Sequence, residues 1–424
     1  MKKLFSLLLA CMMLFLTSCN QTHPNETTTS DSQNQEQPVN PLPQGIVKNG
    51  VWNFIDTPSR ILFEYTVPEG EQYTFYYSKA DGKAYVYCFD PLCDHAGEKC
   101  LANPHELNTW GANLPEFYFR CTFFINNRFY TMTRHGQIYS FAFDGSDLKI
   151  EYGPTSFTIE ELNALQFTWD ENPEVYGKYI YILMNADENG NPHTLRFNTE
   201  TKEMEDLTEK TGNAIFTYFF YNEEIYGLDA KLRTWVKADL ELKEMEPIEA
   251  QPSTNQFYGN TFFYTKFEQI DSKTKKYIGL ESYDMKTGET KLFTNEMLGL
   301  DEEYRYNVLH VDENYVYFKQ YSDTKILVGT KTNHKGEIIN VYKTDTGKLY
   351  RMKHDGTECT LIYDNPNFEF KSLGAVVCGD KIILEGQEYS VKDGTIVYTF
   401  VGMMVGTMRE DGKIEKFEPI ELVY

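Results

Sequence analysis

Long hydrophobic runs are almost missing from this 424-residue sequence. Past Leu16 no apolar stretch approaches the ~20 residues a helix needs to cross a bilayer, so no membrane-spanning helix is predicted. No G-x-S-x-G elbow occurs, which argues against a fused serine hydrolase. Walker loops and G-x-G-x-x-G fingerprints are also missing. Basic residues are outnumbered, 40 to 63 acids, for a net charge of −23. That balance speaks against nucleic acid and anionic headgroups as partners, and its plain meaning is solubility. Helical patterns are scarce: 158–165 (TIEELNAL) has a capping-box look, with Thr158 three residues before Glu161. What the chain does have is Tyr and Phe, 31 and 29 of them, the residue types of half-buried strands.

The N-terminus places Lys2 and Lys3 before a short apolar run, 4–16, and then Leu16-Thr17-Ser18-Cys19. A basic start, a brief apolar core and small residues make an export signal. The segment resembles a bacterial lipobox, which implies that 1–18 is removed and that Cys19 becomes the lipidated first residue. An ordinary secretory signal with a chance cysteine is the alternative. Residues 20–45 contain no aromatic and are rich in Asn, Gln, Thr, Ser and Pro, so they cannot bury enough surface to order themselves. A flexible tether of that length reaches on the order of 25–30 Å. The expected location is extracytoplasmic, with a lipid as the membrane contact.

From 46 to 424 one sentence of turns and strands repeats. A polar turn followed by an aromatic or aliphatic strand occurs as NGVWNF (49–54), NNRFYTM (126–132), YGKYIYIL (176–183) and YNEEIYGL (221–228). It returns as YGNTFFYT (258–265), DENYVYFK (312–319) and CGDKIILE (378–385). A second signature, ADGK (80–83), FDGSD (143–147), MKTGE (285–289), TDTGK (344–348), HDGTE (354–358) and EDGK (410–413), suits the turn joining two outer strands. Units of about 40–50 residues with four short strands are the pattern of a β-propeller blade. The fold class is therefore all-β, a propeller of seven blades. The long intervals (49 to 126, 312 to 378) leave room for eight, the short one (221 to 258) for six, and a sandwich or two smaller β domains compete. In its DGS- and DGK-type hairpins the chain resembles bacterial exported lipoproteins with TolB-like or related β-propeller domains. The resemblance implies the fold of 46–424 and no particular activity.

The one dense chemical cluster is Cys88, Cys93, His95 and Cys100, spaced C-x4-C-x-H-x4-C. Thiolates with an imidazole are the ligand set of a closed structural zinc site. In an exported protein a disulfide is the default, Cys93–Cys100 or Cys88–Cys100, with Cys121 a further candidate. Free thiols are the third reading. Cys359 and Cys378 are expected as small core residues on separate strands.

Other motifs fail on inspection. The stretch 185–190 (NADENG) begins like a calcium loop, but Arg196 stands where the bidentate Glu belongs. His105-Glu106 opens like a zincin, yet Thr109 replaces the second ligand. With no nucleophile or metal signature, binding or scaffolding is favoured over catalysis, with a glycan, peptide or protein as ligand at the rim or central funnel. The alternative is a polymer-acting hydrolase or lyase using acids or a metal at the funnel.

Overall fold

The computed structural model describes 46–47, 54–56, 59–66, 72–88, 122–125, 128–132, 137–142, 147–153 and 174–423, the last apart from breaks at 185–190, 251–255, 271–273, 323–324, 333–334, 345–346, 372–373 and 393–394. The described residues form one compact unit within Asn40–Tyr424; residues 1–39 lie outside them.

Seven antiparallel sheets succeed one another along the chain: blade 1 (54–86), blade 2 (122–152), blade 3 (174–206), blade 4 (215–247), blade 5 (256–293), blade 6 (305–364) and blade 7 (368–419). Each lines up its strands in sequence order, first to fourth. In blade 7 the first strand is split into Phe368–Phe370 and Val376–Cys378, both paired to Lys381–Lys392.

Both faces of each sheet carry bulky apolar side chains, so each needs a neighbour on either side. Tyr87 of blade 1 meets Phe129 of blade 2 edge-on at 6.0 Å. Tyr130 and Ile138 of blade 2 pack on Val175 and Ile180 of blade 3. Tyr181 of blade 3 packs on Ile215 and Phe220 of blade 4, and Phe219 and Tyr226 of blade 4 on Phe262 and Tyr264 of blade 5. Phe263 and Phe293 of blade 5 meet Tyr306 and Phe318 of blade 6. Tyr317 and Ile362 of blade 6 meet Phe368 and Phe417 of blade 7. Ile383 and Met403 of blade 7 then meet Ile61, Phe63 and Phe75 of blade 1. The seventh interface closes the ring, and the contact of blade 1 with blade 2 leaves no place for an eighth blade. Leu422–Val423 fastens the closure as a parallel fifth strand on Ala84–Val86.

Six of the seven polar-turn repeats mark the hairpin between first and second strands. The exception is NGVWNF: the first hairpin of blade 1 falls between Phe54–Asp56 and Arg60–Thr66, one turn later. The outer-turn signature also holds with one correction. TDTGK does not join outer strands; it links an inserted two-stranded ribbon, Lys325–Thr332 with Ile338–Thr344, to the third strand of blade 6, Lys348–Met352. That ribbon fills the long 312–378 interval in which an eighth blade had room. Blades 3 and 4 make their outer turns without glycine. Lys202 and Leu242 take the left-handed φ of 65° and 55° themselves, while Asn198 and Asp239 side chains accept backbone N–H bonds from Glu200 and Lys243 at 2.9 and 2.7 Å. The segment 158–165 lies outside the described residues.

One strand precedes blade 1. Ile46–Val47 pairs antiparallel with the first strand of blade 4, Ile46 opposite Tyr221 and Val47 opposite Phe220.

The interface of blades 6 and 7 offers a direct test of ring cohesion. Phe417 lies 4.8 Å from Tyr363, 5.3 Å from Phe368 and 5.9 Å from Phe370, centroid to centroid. Phe417→Ala is expected to cost about 3–5 kcal/mol, the range for emptying a buried aromatic site. Urea unfolding measures it, and a loss under about 1 kcal/mol would show that this interface does not hold the ring.

Candidate functional site

Strand direction sorts the turns of a propeller onto two faces. Second-to-third-strand turns and the links between blades share one face, called the upper face below. First-to-second and third-to-fourth turns share the lower. On the upper face three consecutive blades outgrow the rest. Blade 3 joins its middle strands through six paired residues, Tyr179↔Asn198 to Met184↔His193. Blade 7 continues from Lys381↔Thr407 to Lys392↔Thr395, so at about 3.3 Å per residue its paired ladder runs roughly 20 Å longer. Blade 5 extends Thr261–Gln269 against Lys275–Asp284, and blade 6 inserts its ribbon at the same level.

The ribbon is rooted firmly. It leaves at Ser322 and returns at Gly347, both buried. Gly347 has no freedom to be larger, since a Cβ there would lie 1.8 Å from the Asn365 carbonyl oxygen.

Between the ribbon and the blade 7 hairpin lies a cleft of about 330 Å³, lined by Lys325 and Tyr342 from the ribbon and by Glu369, Gln387, Tyr389, Ile396 and Tyr398 from blade 7. The Tyr389 hydroxyl donates to the Pro366 carbonyl at 2.9 Å, and its ring meets Tyr398 edge-on at 6.4 Å. Gln387 Nε2 donates to Glu369 Oε2, and Lys371 pairs with Glu369 at 3.1 Å. Behind these groups Lys319, 5% exposed, donates from Nζ to the Phe370 carbonyl at 3.0 Å. Burial pushes its ammonium from an ordinary 10.5 down to about 8; Glu369 and Glu385 oppose that fall and Lys371 adds to it.

The wider surface is apolar. Among the described residues fifteen large hydrophobic side chains are exposed, and all but Leu148, Ile150 and Leu361 stand on upper-face segments. Leu232 and Ile270 tip the middle hairpins of blades 4 and 5, and Met297 sits on the link from blade 5 to blade 6. The remaining nine belong to the approach to the ribbon, the ribbon itself and the upper half of the blade 7 hairpin.

The residues singled out in the sequence fall elsewhere. Cys88 is half-buried at the end of the outer strand of blade 1, packed against the cluster shared by blades 1 and 7. Cys19, Cys93, His95, Cys100, Cys121, His105, Glu106 and Thr109 lie outside the described residues, as does 185–190. Cys359 and Cys378 are partly buried, Cys359 against the core between blades 5 and 6. Arg196 proves to be a structural pin. Its guanidinium grips Glu241 of blade 4 at 2.6 Å and Glu205 of its own blade, and it lies 4.7 Å from the centre of the Tyr179 ring. No group of His, Cys, Asp and Glu suited to a metal occurs among the described residues, and none of their helices is long and apolar enough to cross a membrane. The upper-face platform was missed in the sequence. The alternating strands KILVGTKT and IINVYKT around a polar NHKGE turn were the available signal.

No protein-family model matches this chain, and no curated protein does. Among solved structures it is similar to an oligogalacturonate lyase in complex with manganese, at 10% identity and a TM-score of 0.34, covering 57% of this chain and 63% of that one, under two thirds of the lyase. It is also similar to the β-propeller domain of the Trilobed protease from Pyrococcus furiosus, at 8% identity, TM-score 0.39, covering 89% and 97%. A putative TolB from Agrobacterium tumefaciens follows at 14% identity, TM-score 0.28, covering 64% and 83%. Likenesses this distant carry no argument. The seven-bladed ring stands on its own strand order and its seven interfaces.

Lys319 supplies a pH signature. With a folded pKa of about 8 against an ordinary 10.5, the folded state binds fewer protons than the unfolded one between those values. Stability therefore rises with pH across that window, and the penalty is fully present below it. Lys319→Met is expected to stabilise the protein by about 2–3 kcal/mol at pH 7, the gain shrinking as pH rises from about 8 and gone above 10.5. Denaturation of both proteins at several pH values checks this; a pH-independent difference would refute a lysine held towards its neutral form.

Proposed function

We propose that this chain is an extracytoplasmic binding module that holds a polypeptide on its upper face over blades 4 to 7, tethered by a lipid on Cys19. One observation carries the reading: exposed large hydrophobic side chains gather on that face and are rare elsewhere among the described residues. Patches of this kind are ordinarily covered by a partner. Their chemistry favours polypeptide over glycan, because most are Ile, Leu, Val or Met rather than the flat aromatic rings that stack on sugars. The cleft offers little to a hydrolase. Glu369 is the one carboxylate lining it, and Lys371 and Gln387 already engage it, whereas glycoside hydrolysis calls for two.

The N-terminal strand starts on the face opposite the apolar platform. Ile46 stands beside Tyr221, at the lower end of the first strand of blade 4, so the chain enters the ring from the lower face.

Peptide and glycan arrays probed with 40–424 test the reading. Peptides are expected to bind, and Leu232→Ser combined with Tyr398→Ser to weaken them at least tenfold without lowering the unfolding midpoint. Binding to glycans alone, or turnover of an arrayed polymer, would refute it.

For the loop after blade 1 we propose a staple made by two of Cys88, Cys93 and Cys100, a disulfide being the form suited to an exported chain. Thiol titration is expected to show two blocked cysteines freed by reductant. One zinc per chain, lost in Cys93→Ser, would instead establish the metal with His95 as its fourth ligand.

A further inference from the structure

The ribbon inserted in blade 6 has one edge beside blade 7 and one with no strand beside it among the described residues. Its first strand, Lys325–Thr332, lies against the blade 7 strand Thr395–Met408. Its second, Ile338–Thr344, pairs with no other strand among the described residues. Proteins usually guard such an edge with proline, several charges or shortness, because unpaired N–H and C=O groups invite another strand. This one reads IINVYKT: seven residues with high strand propensity, no proline, and a single lysine near its end. Ile338 is 77% exposed.

Charge narrows the partner. Residues 325–344 contain Lys325, Lys331, Lys335 and Lys343 against Glu337, a balance of +3 in a chain whose total is −23. The ribbon is thus a basic, apolar outcrop on an acidic body. A bilayer does not fit it, since the sequence joining the paired strands is polar, NHKGE in the ribbon and KDG in blade 7. The apolar side chains lie on the flanks, where a neighbouring strand would reach them. A second ribbon pairing with the first would set +3 against +3.

We propose that the open edge Ile338–Thr344 takes up an extended segment of a partner protein, alternating apolar and carboxylate side chains, as the third strand of the ribbon sheet. The inference rests on the reading that the upper face binds polypeptide, and adds the mode and the chemistry. Main-chain hydrogen bonds to the edge supply affinity. Carboxylates of the incoming strand answer the net positive charge of the ribbon, and its apolar side chains cover Ile338 and Tyr342.

Three synthetic ten-residue probes test it: alternating Val-Glu, alternating Val-Lys, and Val-Glu methylated on every Val amide or every Glu amide. Only alternate amides of an added strand face the ribbon. Methylation in one phase is therefore expected to abolish binding to 40–424 and in the other to spare it, with Val-Lys at least tenfold weaker than Val-Glu. Lys335→Glu combined with Lys343→Glu is expected to weaken Val-Glu at least tenfold. A ring with two glycines joining Ser322 to Gly347 in place of the ribbon is expected to keep its unfolding midpoint and lose the probe. Failure of Val-Glu to bind, equal effects of both methylation phases, binding that survives ribbon removal, or self-association of 40–424 through the ribbon would each overturn the inference. Array peptides still held by the ribbon-less ring would overturn strand addition while leaving the binding face intact; their failure to bind the unaltered protein is the separate failure of the broader reading.

Discussion

Everything in this molecule depends on burying both faces of each small sheet against its neighbours. A four-stranded sheet with Tyr, Phe and Ile on both sides cannot remain in water as a separate body, and an open row would leave its two end sheets half exposed. The contact of Ile383 and Met403 with Ile61, Phe63 and Phe75 removes those ends. The aromatic content is therefore mostly structural: Tyr77, Tyr181, Tyr226, Tyr264 and Tyr306 are all under 2% exposed.

Once the ring is closed, strand length becomes free to vary in one direction. Residues at ring height are pressed between blades on both sides, whereas residues of the same strand above it meet far less of their neighbours. Lys381–Lys392 shows both regimes, with Ile383 fully buried and Val391 44% exposed. Blades 5, 6 and 7 exploit this freedom side by side, so their extensions share one surface. Polar groups collect where the two regimes meet, and Lys319 is caught there, deep enough to lose hydration yet close to Glu369 and Glu385.

The ring was legible because its grammar is local. Turn chemistry and period-two strands recur at each blade, and six of seven predicted hairpins stand where the sequence placed them. Legibility failed where a local signal has two structural uses. TDTGK has the composition of an outer turn but leads from the ribbon back into blade 6, and the ribbon strands alternate like any blade strand. The outer turns of blades 3 and 4 were silent because Lys202 and Leu242 adopt the conformation usually left to glycine. The platform was hidden for a different reason. Ile338 and Ile383 are the same residue type in similar strands, and only height above the ring decides that one is wet and the other dry.

The ribbon also has a bearing on how such a chain can change. Its two roots, Ser322 and Gly347, are fixed by the body of blade 6, and Gly347 accepts a bond from the Asn365 amide at 3.0 Å. Among the described residues between them, none belongs to the seven apolar seams that hold the ring. Evolution or an engineer could exchange this cassette for another hairpin of similar span and retarget the protein, without re-solving the packing problem beneath it.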